Sequence, residues 1–573
     1  MDAPVLSIQH LCAEIGSPDN KHLLLNDISL SVYAGETLAL VGESGSGKSV
    51  TALSILRLLN HSGIRYSSGE IIFNDRNNNE VNLLQLKEKE LNDYRGKEIG
   101  FVFQEPMNSL NPLMTCGKQI TEVLLKHTAC SKKEAASKAL ELLRKVELPH
   151  PERFLDAYPH ELSGGQKQRV MIAMAISCNP RLLIADEPTT ALDVTVQKSI
   201  LQLLQSLQKS NGMALLFITH DLGIVSELAD RVAVLYRGEL LETRPVTELF
   251  SHPHHPYTKA LLACRPILFE KGQTLPTISE LLTHSNNPVT AAVKEIQAAA
   301  IPPAETLLSV QNLTVSFGSR NFLGKKKSGS VVAVDQVSFD IFQGETLGLV
   351  GESGCGKTTL GRTLLRLQQA ESGSIIFHGK EDLLKLPLQR FRSHRKELQI
   401  VFQDPYASLN PRMRIGDMLL EPVRLHRPDL SKEAAKVLIR TLLQKVGLPE
   451  DSETRYPHAF SGGQRQRLVI ARALAVKPAF IVWDESVSAL DVSIQAQILN
   501  LINELKDTFK FTSLFISHDL SVVRYLCDRI LIMQKGRIVE SGLAEQIWNT
   551  PRHPYTRELL DAIPGQRQLS KSE

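Results

Sequence analysis

Two eight-residue stretches could close a backbone around phosphate: Gly42-Glu43-Ser44-Gly45-Ser46-Gly47-Lys48-Ser49 and Gly351-Glu352-Ser353-Gly354-Cys355-Gly356-Lys357-Thr358. In each, the glycines let N–H groups point inward at anionic oxygens, the lysine can reach β- and γ-phosphates, and the last hydroxyl can ligate Mg²⁺. Further along, four apolar residues run into Asp186-Glu187 and again into Asp484-Glu485. A buried strand of that kind would deliver the aspartate to its exposed end, where a carboxylate can hold a magnesium shell. The glutamate, one residue on, would orient and deprotonate an attacking water. An acidic pair after a strand is often only a strand cap. Here both copies keep it in register with the loop, which favours hydrolysis of a nucleoside triphosphate.

The register of the two copies is close. Ser163 and Ser461, Glu187 and Glu485, and His220 and His518 are each 298 residues apart. A repeat of that length means duplicated domains rather than a solenoid. We expect a first nucleotide-binding domain over 1–265, an extension and linker over 266–306, and a second such domain over 307–573. Each half opens with alternating strands, as in Ile28–Val32 and Val337–Ile341, then an apolar strand (Thr37–Val41, Thr346–Val350) that ends at the glycine-rich loop. Helical periodicity over Ile120–Leu148 and Ile415–Leu448 predicts a small inserted subdomain in each half. The first half has about ten extra residues before Gln104, around Asp75–Asn79, and the second about seven before its loop, around Lys325–Lys327; both read as lengthened hairpin tips. Asn286-Asn287-Pro288 and Pro302-Pro303 mark the linker.

Composition narrows the class. At 573 residues the chain exceeds a single core. A net charge of +3 is too mild to indicate nucleic-acid binding. The seven cysteines are scattered with no CxxC pair, which points to free thiols in a reducing compartment. No run approaches the ~18 apolar residues of a membrane span, and the N-terminus does not read as a secretory signal.

Leu162-Ser163-Gly164-Gly165-Gln166 and Phe460-Ser461-Gly462-Gly463-Gln464 lie between a glutamine-bearing strand end (Gln104, Gln403) and the Asp-Glu pair. These resemble the signature of ABC-type ATPases, and the resemblance covers both halves. It implies an α/β fold of two tandem P-loop ABC ATPase domains. Each would be a RecA-like α/β core with a small antiparallel β subdomain and an inserted α-helical subdomain. It also implies ATP sandwiched head to tail between the loop of one half and the signature of the other. One site would then use Gly42, Ser44, Gly45, Gly47, Lys48, Ser49, Gln104, Asp186, Glu187 and His220 with Ser461, Gly462, Gly463 and Gln464. The other would use Gly351, Ser353, Gly354, Gly356, Lys357, Thr358, Gln403, Asp484, Glu485 and His518 with Ser163, Gly164, Gly165 and Gln166. By the same resemblance, Glu187, His220, Glu485 and His518 are catalytic, and Mg²⁺ is held by Ser49, Gln104 and Asp186 or by Thr358, Gln403 and Asp484. Asp193 and Asp491 match the loop that communicates between sites. Phe317 is the adenine-stacking candidate of the second half; Ala13-Glu14-Ile15-Gly16 supplies no aromatic in the first. Phe460 in place of leucine, and Ser486 where the first copy has Pro188, remove no reacting group. Both sites are expected to hydrolyse ATP.

Pro-x-x-Ser-Leu-Asn-Pro follows each glutamine (106–112 and 405–411), and His-Pro-Tyr-Thr closes each half (255–258 and 553–556). Together they resemble the ATPase subunits of peptide and nickel importers, here fused in one chain. That implies two transmembrane permease subunits, a separate substrate-binding protein, no nucleic-acid partner, and a peripheral position on the cytoplasmic face of the bacterial inner membrane. With only Cys264 after the first His-Pro-Tyr, an iron–sulfur cluster is not expected. The alternative is a soluble twin ATPase acting on the ribosome, though the Ala-, Pro- and Thr-rich linker fits that class poorly. A non-hydrolysing regulator would be expected to have lost a lysine or glutamate, and an exporter would not account for the importer-like segments. The cargo is chosen by other chains; peptides come first, with glutathione-like thiols among those behind.

Overall fold

The apolar runs Thr37–Val41, Leu182–Asp186 and Ala214–Thr219 are buried along their whole length, as strands of a parallel sheet covered on both faces must be. In the computed structural model, which describes residues 3–17, 20–59, 63–104, 109–190, 192–283, 305–318, 331–488 and 490–565, they form the centre of a six-stranded sheet. Its order is Glu239–Pro245, Arg231–Tyr236, Thr37–Val41, Ala214–Thr219, Leu182–Asp186, Ile99–Val102. All neighbours are parallel except the first pair, which is antiparallel. The second half repeats this order with Arg537–Leu543, Arg529–Gln534, Thr346–Val350, Thr512–Ser517, Phe480–Asp484 and Leu398–Val401.

Beside each core sheet lies a four-stranded antiparallel sheet: Asn20–Val32, Leu6–Ser17, Ile64–Asn74, Glu80–Asn82, and its counterpart Val331–Phe342, Thr306–Phe317, Ser372–Phe377, Glu381–Asp382. The inserted helices form as the periodicity predicts, at Cys116–His127 and Lys132–Lys145, and at Ile415–His426 and Lys432–Lys445. Ser131 and Ser431 cap the second helix of each pair by accepting N–H bonds from Glu134 and Ala434.

One detail differs from the sequence expectation. Only part of the first half's extra length forms a hairpin tip at Asp75–Asn79, where Asp75 accepts N–H bonds from Asn77 and Asn79. The rest lengthens a strand, with 11 residues in Ile64–Asn74 against 6 in Ser372–Phe377, because the added residues find partners at Ala13, Glu14 and Ile15. The lysine run 325–327, the linker residues 284–304 and Pro106 lie outside the described residues.

The chain folds as two compact units, and each takes in residues that follow the other half's closing motif. One holds the described residues of 1–262 with 564 and 565, the other those of 263–563. In the second unit, Tyr525 donates to the Gln273 carbonyl (2.7 Å), and the Asn500 amide makes both bonds to the Leu275 backbone (3.0 and 2.7 Å). In the first, the Gly565 N–H donates to Glu227 (3.0 Å).

Candidate active sites

Strand order brings the chemistry together. The parallel strands ending at Val41, Thr219 and Asp186 are consecutive neighbours with Val41 opposite Thr219 and Asp186 opposite Ile218. Their carboxyl ends therefore present the phosphate loop, His220 and Asp186-Glu187 side by side, the position where open α/β sheets bind ligands. The adjacent strand Ile99–Val102 ends just before Gln104. The second half does the same with Val350, Ser517, Asp484 and Val401.

Each loop leads into a helix, Lys48–Ile55 or Lys357–Leu364, whose cap glycine (Gly47, φ 106°; Gly356, φ 112°) adopts a left-handed conformation. That leaves the first N–H groups of the helix facing the loop, a natural anion site. Gly42 is needed for a second reason: a Cβ there would collide with the Leu235 carbonyl. Gly42→Ala is therefore expected to destabilise its half by about 1–3 kcal/mol, read as a lowered melting temperature of the full chain.

Lys48 is buried, its ammonium donating to the Gly42 and Glu43 carbonyls at 2.8 and 2.9 Å. Lys357 repeats this on Gly351 and Glu352 at 2.7 and 2.9 Å and also lies 4.0 Å from Glu485. Ser49 donates to Asp186 (3.2 Å) and Thr358 to Asp484 (2.8 Å). Burial, opposed in part by the Ser49 bond, pushes the Asp186 carboxyl up to about 6, and burial raises Asp484 likewise. A buried carboxylate paired with a hydroxyl suits a hard divalent cation; Asp484 also has the Arg362 guanidinium at 3.9 Å. One carboxylate and one hydroxyl in contact leave the rest of an octahedral shell to waters and phosphate, as Mg²⁺ prefers. These residues fit Mg²⁺.

Glu187 accepts from Gln104 (2.8 Å), Thr190 (2.9 Å) and His220 (3.1 Å). Burial works against its charge, but the bond and charge of His220, with Thr190 and Lys48, outweigh it and hold Glu187 at about 2. Glu485 accepts from Gln403 (3.0 Å) and has His518 at 3.8 Å; its carboxyl is likewise lowered despite burial. Both glutamates have positive φ (45° and 48°), a conformation uncommon for bulky residues that collects at functional sites. Thr190, three residues beyond Glu187, was not singled out from sequence, where an ordinary threonine in a turn gives no sign of its target.

Burial would lower the pKa of His220, yet its bond to Glu187 and that residue's charge raise it above the usual 6.5. The stabilisation from this ion pair is thus fully present below pH ~6.5 and lost as pH rises through the folded-state pKa. The imidazole proton resonance of His220 should titrate above pH 6.5 in the nucleotide-free chain and move to lower pH in Glu187→Gln. An unchanged midpoint would separate the two groups.

The signature serines cap helices. Ser163 and Gln166 exchange bonds across the start of Gly164–Ala175, and Ser461 and Gln464 across the start of Gly462–Leu474. The second glycine of each signature is set by packing, since a Cβ at Gly165 or Gly463 would press on Val196 or Ile494. The first is looser: nothing lies within 4 Å of a Cβ on Gly462, and one on Gly164 would meet Leu192 only at ordinary contact distance, 3.5 Å. Asp193 and Asp491 precede the helices Val194–Asn211 and Val492–Phe509, and Asp491 caps its helix through the Ile494 N–H. The remaining loop residues Ser44, Gly45, Ser353 and Gly354 sit where the loop turns, Gly45 and Gly354 with φ near 80°. Phe317 ends its strand 45% exposed, free to receive a flat ligand; in the first half Glu14 instead pairs with Lys21 (2.8 Å).

Comparison with known proteins identifies the family. The ABC transporter family model matches 25–190 and 334–488, more than half of the chain. The chain belongs to the ABC transporter family. A second model, the C-terminal region of oligopeptide/dipeptide transporters, matches 241–288 and 539–572. Among curated relatives, the glutathione import ATP-binding protein GsiA of Escherichia coli K12 is 46% identical over 98% of this chain and 89% of that protein. The GsiA of Pectobacterium atrosepticum is 45% identical with the same coverage. Among solved structures, the ATP-binding cassette MJ0796 bound to ADP and Pi is 32% identical, covering 42% of this chain and 98% of that one, with a TM-score of 0.37. This ABC protein hydrolyses ATP to power import, and the ribosomal alternative has no support among these matches. Among its described residues no helix is long and apolar enough to cross a membrane.

Proposed function

We propose that this chain energises the uptake of glutathione or a closely related short peptide, as the peripheral ATPase on the cytoplasmic face of a bacterial inner-membrane importer. The observation that carries the cargo is near-full-length likeness, 46% identity over 98% of the chain, to a glutathione import ATP-binding protein. Two permeases and a binding protein complete the assembly in this reading. In the second half, a groove beside Ser408–Pro411 is lined by Arg412, Met413, Arg414, Asp417, Leu425 and Tyr456. Leu425 is 73% exposed there, which suits a permease helix carrying both apolar and charged residues.

In the proposed mechanism, residues 1–265 and 307–573 act as the nucleotide-binding halves. Lys48 and Lys357 leave their carbonyls for the β- and γ-phosphates, and the helix N-termini behind Gly47 and Gly356 hold the remaining charge. The capped Ser163-Gly164-Gly165 and Ser461-Gly462-Gly463 segments close on γ-phosphate from the opposite half. Glu187 and Glu485 take the proton of the attacking water, oriented by Gln104 and Gln403, while His220 and His518 fix the carboxylates. Mg²⁺, held by Ser49, Gln104 and Asp186 or by Thr358, Gln403 and Asp484, would neutralise charge on the phosphates. ATP favours the closed pair because it binds that state better.

The test is gentle extraction of the tagged chain from native membranes. Two multi-spanning permeases, with a binding protein carrying glutathione or a short peptide, would support the reading. Ribosomal particles without membrane chains would sink it.

A further inference from the structure

The His-Pro-Tyr-Thr segments close the two halves far in sequence from the phosphate loops, yet each reaches one. The Glu43 N–H donates to the Tyr257 hydroxyl (3.1 Å), and the Glu352 N–H to the Tyr555 hydroxyl (3.0 Å). Both tyrosines are buried. The N–H of Glu43 belongs to the same peptide group as the Gly42 carbonyl, which carries the Lys48 ammonium at 2.8 Å. That peptide is gripped at both ends, by lysine on its oxygen and tyrosine on its nitrogen. The second half repeats the arrangement, with the Gly351 carbonyl on Lys357 at 2.7 Å.

The rest of the motif holds the tyrosine in place. His255 caps the helix Pro256–Ala263 by accepting the Tyr257 N–H (3.1 Å), and proline occupies its first turn, where no N–H is needed. Thr258 donates to Glu242, which also accepts the His255 N–H (3.1 Å). His553, Thr556 and Glu540 reproduce each bond. In the first half the Tyr257 ring also packs 4.3 Å from that of Tyr236.

We propose that Tyr257 and Tyr555 are positioning residues of the two phosphate loops, each fixing the peptide from which the loop lysine is released to nucleotide. This rests on the loops being ATP sites. When the lysine moves to phosphate, the Gly42 carbonyl loses its cation, and the tyrosine bond then keeps the peptide from turning over. Without the hydroxyl the partly buried peptide N–H loses this bond, a loss that corresponds to roughly five- to tenfold in an equilibrium constant.

The test is the full chain carrying Tyr257→Phe and Tyr555→Phe, titrated with MgADP and assayed for ATP turnover. Phenylalanine keeps the packing, so the melting temperature should fall by no more than about 2–4 °C, while the Kd for MgADP and the KM for ATP rise about five- to tenfold. kcat should change little. Hydrogen exchange at the Glu43 and Glu352 amides should quicken. Unchanged affinity and exchange in the Phe variant, with loss of both only on substitution by leucine, would make the tyrosines mere packing and overturn the proposal. Lys48→Met with Lys357→Met separates the two readings. If the lysine variants lose MgADP while the Phe variant does not, only the positioning role fails; if the lysine variants still bind normally, the site assignment fails with it.

Discussion

With Glu187 and Glu485 both changed to glutamine, the chain should bind ATP and turn it over about 10²–10⁴-fold more slowly, the range for loss of a positioned general base. Glutamine keeps the shape that Gln104, Thr190 and Gln403 now contact, so folding should survive. The charge that meets His220 and Lys357 is what disappears. Each single variant should leave turnover at the other site, and the double variant should retain unhydrolysed ATP after rapid gel filtration. Near-normal turnover in the double variant would move the base elsewhere.

Lys48→Met and Lys357→Met should produce the second large effect. Each ammonium makes two bonds to buried carbonyls, which shows that the loop is shaped around a cation at that point. Charged hydrogen bonds contribute about 1.5–3 kcal/mol each, so losing those to phosphate should weaken MgADP binding by roughly 10²-fold or more. Methionine fills most of the space, so a fall in affinity without a fall in melting temperature would isolate the charge. Calorimetric titration of the full chain measures both sites.

The elements that were legible in the sequence are those whose cause is local. Gly42 and Gly47 mark a loop because few other residues tolerate its backbone. An apolar strand ending in Asp-Glu states both its burial and its exposed end. The helical insertions carried their own periodicity. What the sequence hid depends on partners distant in the chain. Nothing near Tyr257 points to an N–H 214 residues away, and the residues around Gln166 do not show that its side chain completes a helix cap. The exchange of segments beyond Leu262 and Ile563 between compact units left no compositional mark, because Gln273 and Leu275 offer only backbone groups to Tyr525 and Asn500. Ile64, Arg65 and Tyr66 belong to the extra length read as a hairpin tip until their pairing with Ala13–Ile15 was visible.

The central claim is that ATP hydrolysis in this chain drives import through permeases. The most direct measurement is ATP turnover by the complex reconstituted in lipid vesicles, with and without the binding protein loaded with glutathione. Turnover should rise when loaded binding protein is present, accompany glutathione accumulation on the binding-protein-facing side's opposite compartment, and vanish in both respects in the Glu187→Gln, Glu485→Gln variant. Turnover indifferent to permeases and loaded binding protein, but stimulated by ribosomes, would contradict the account.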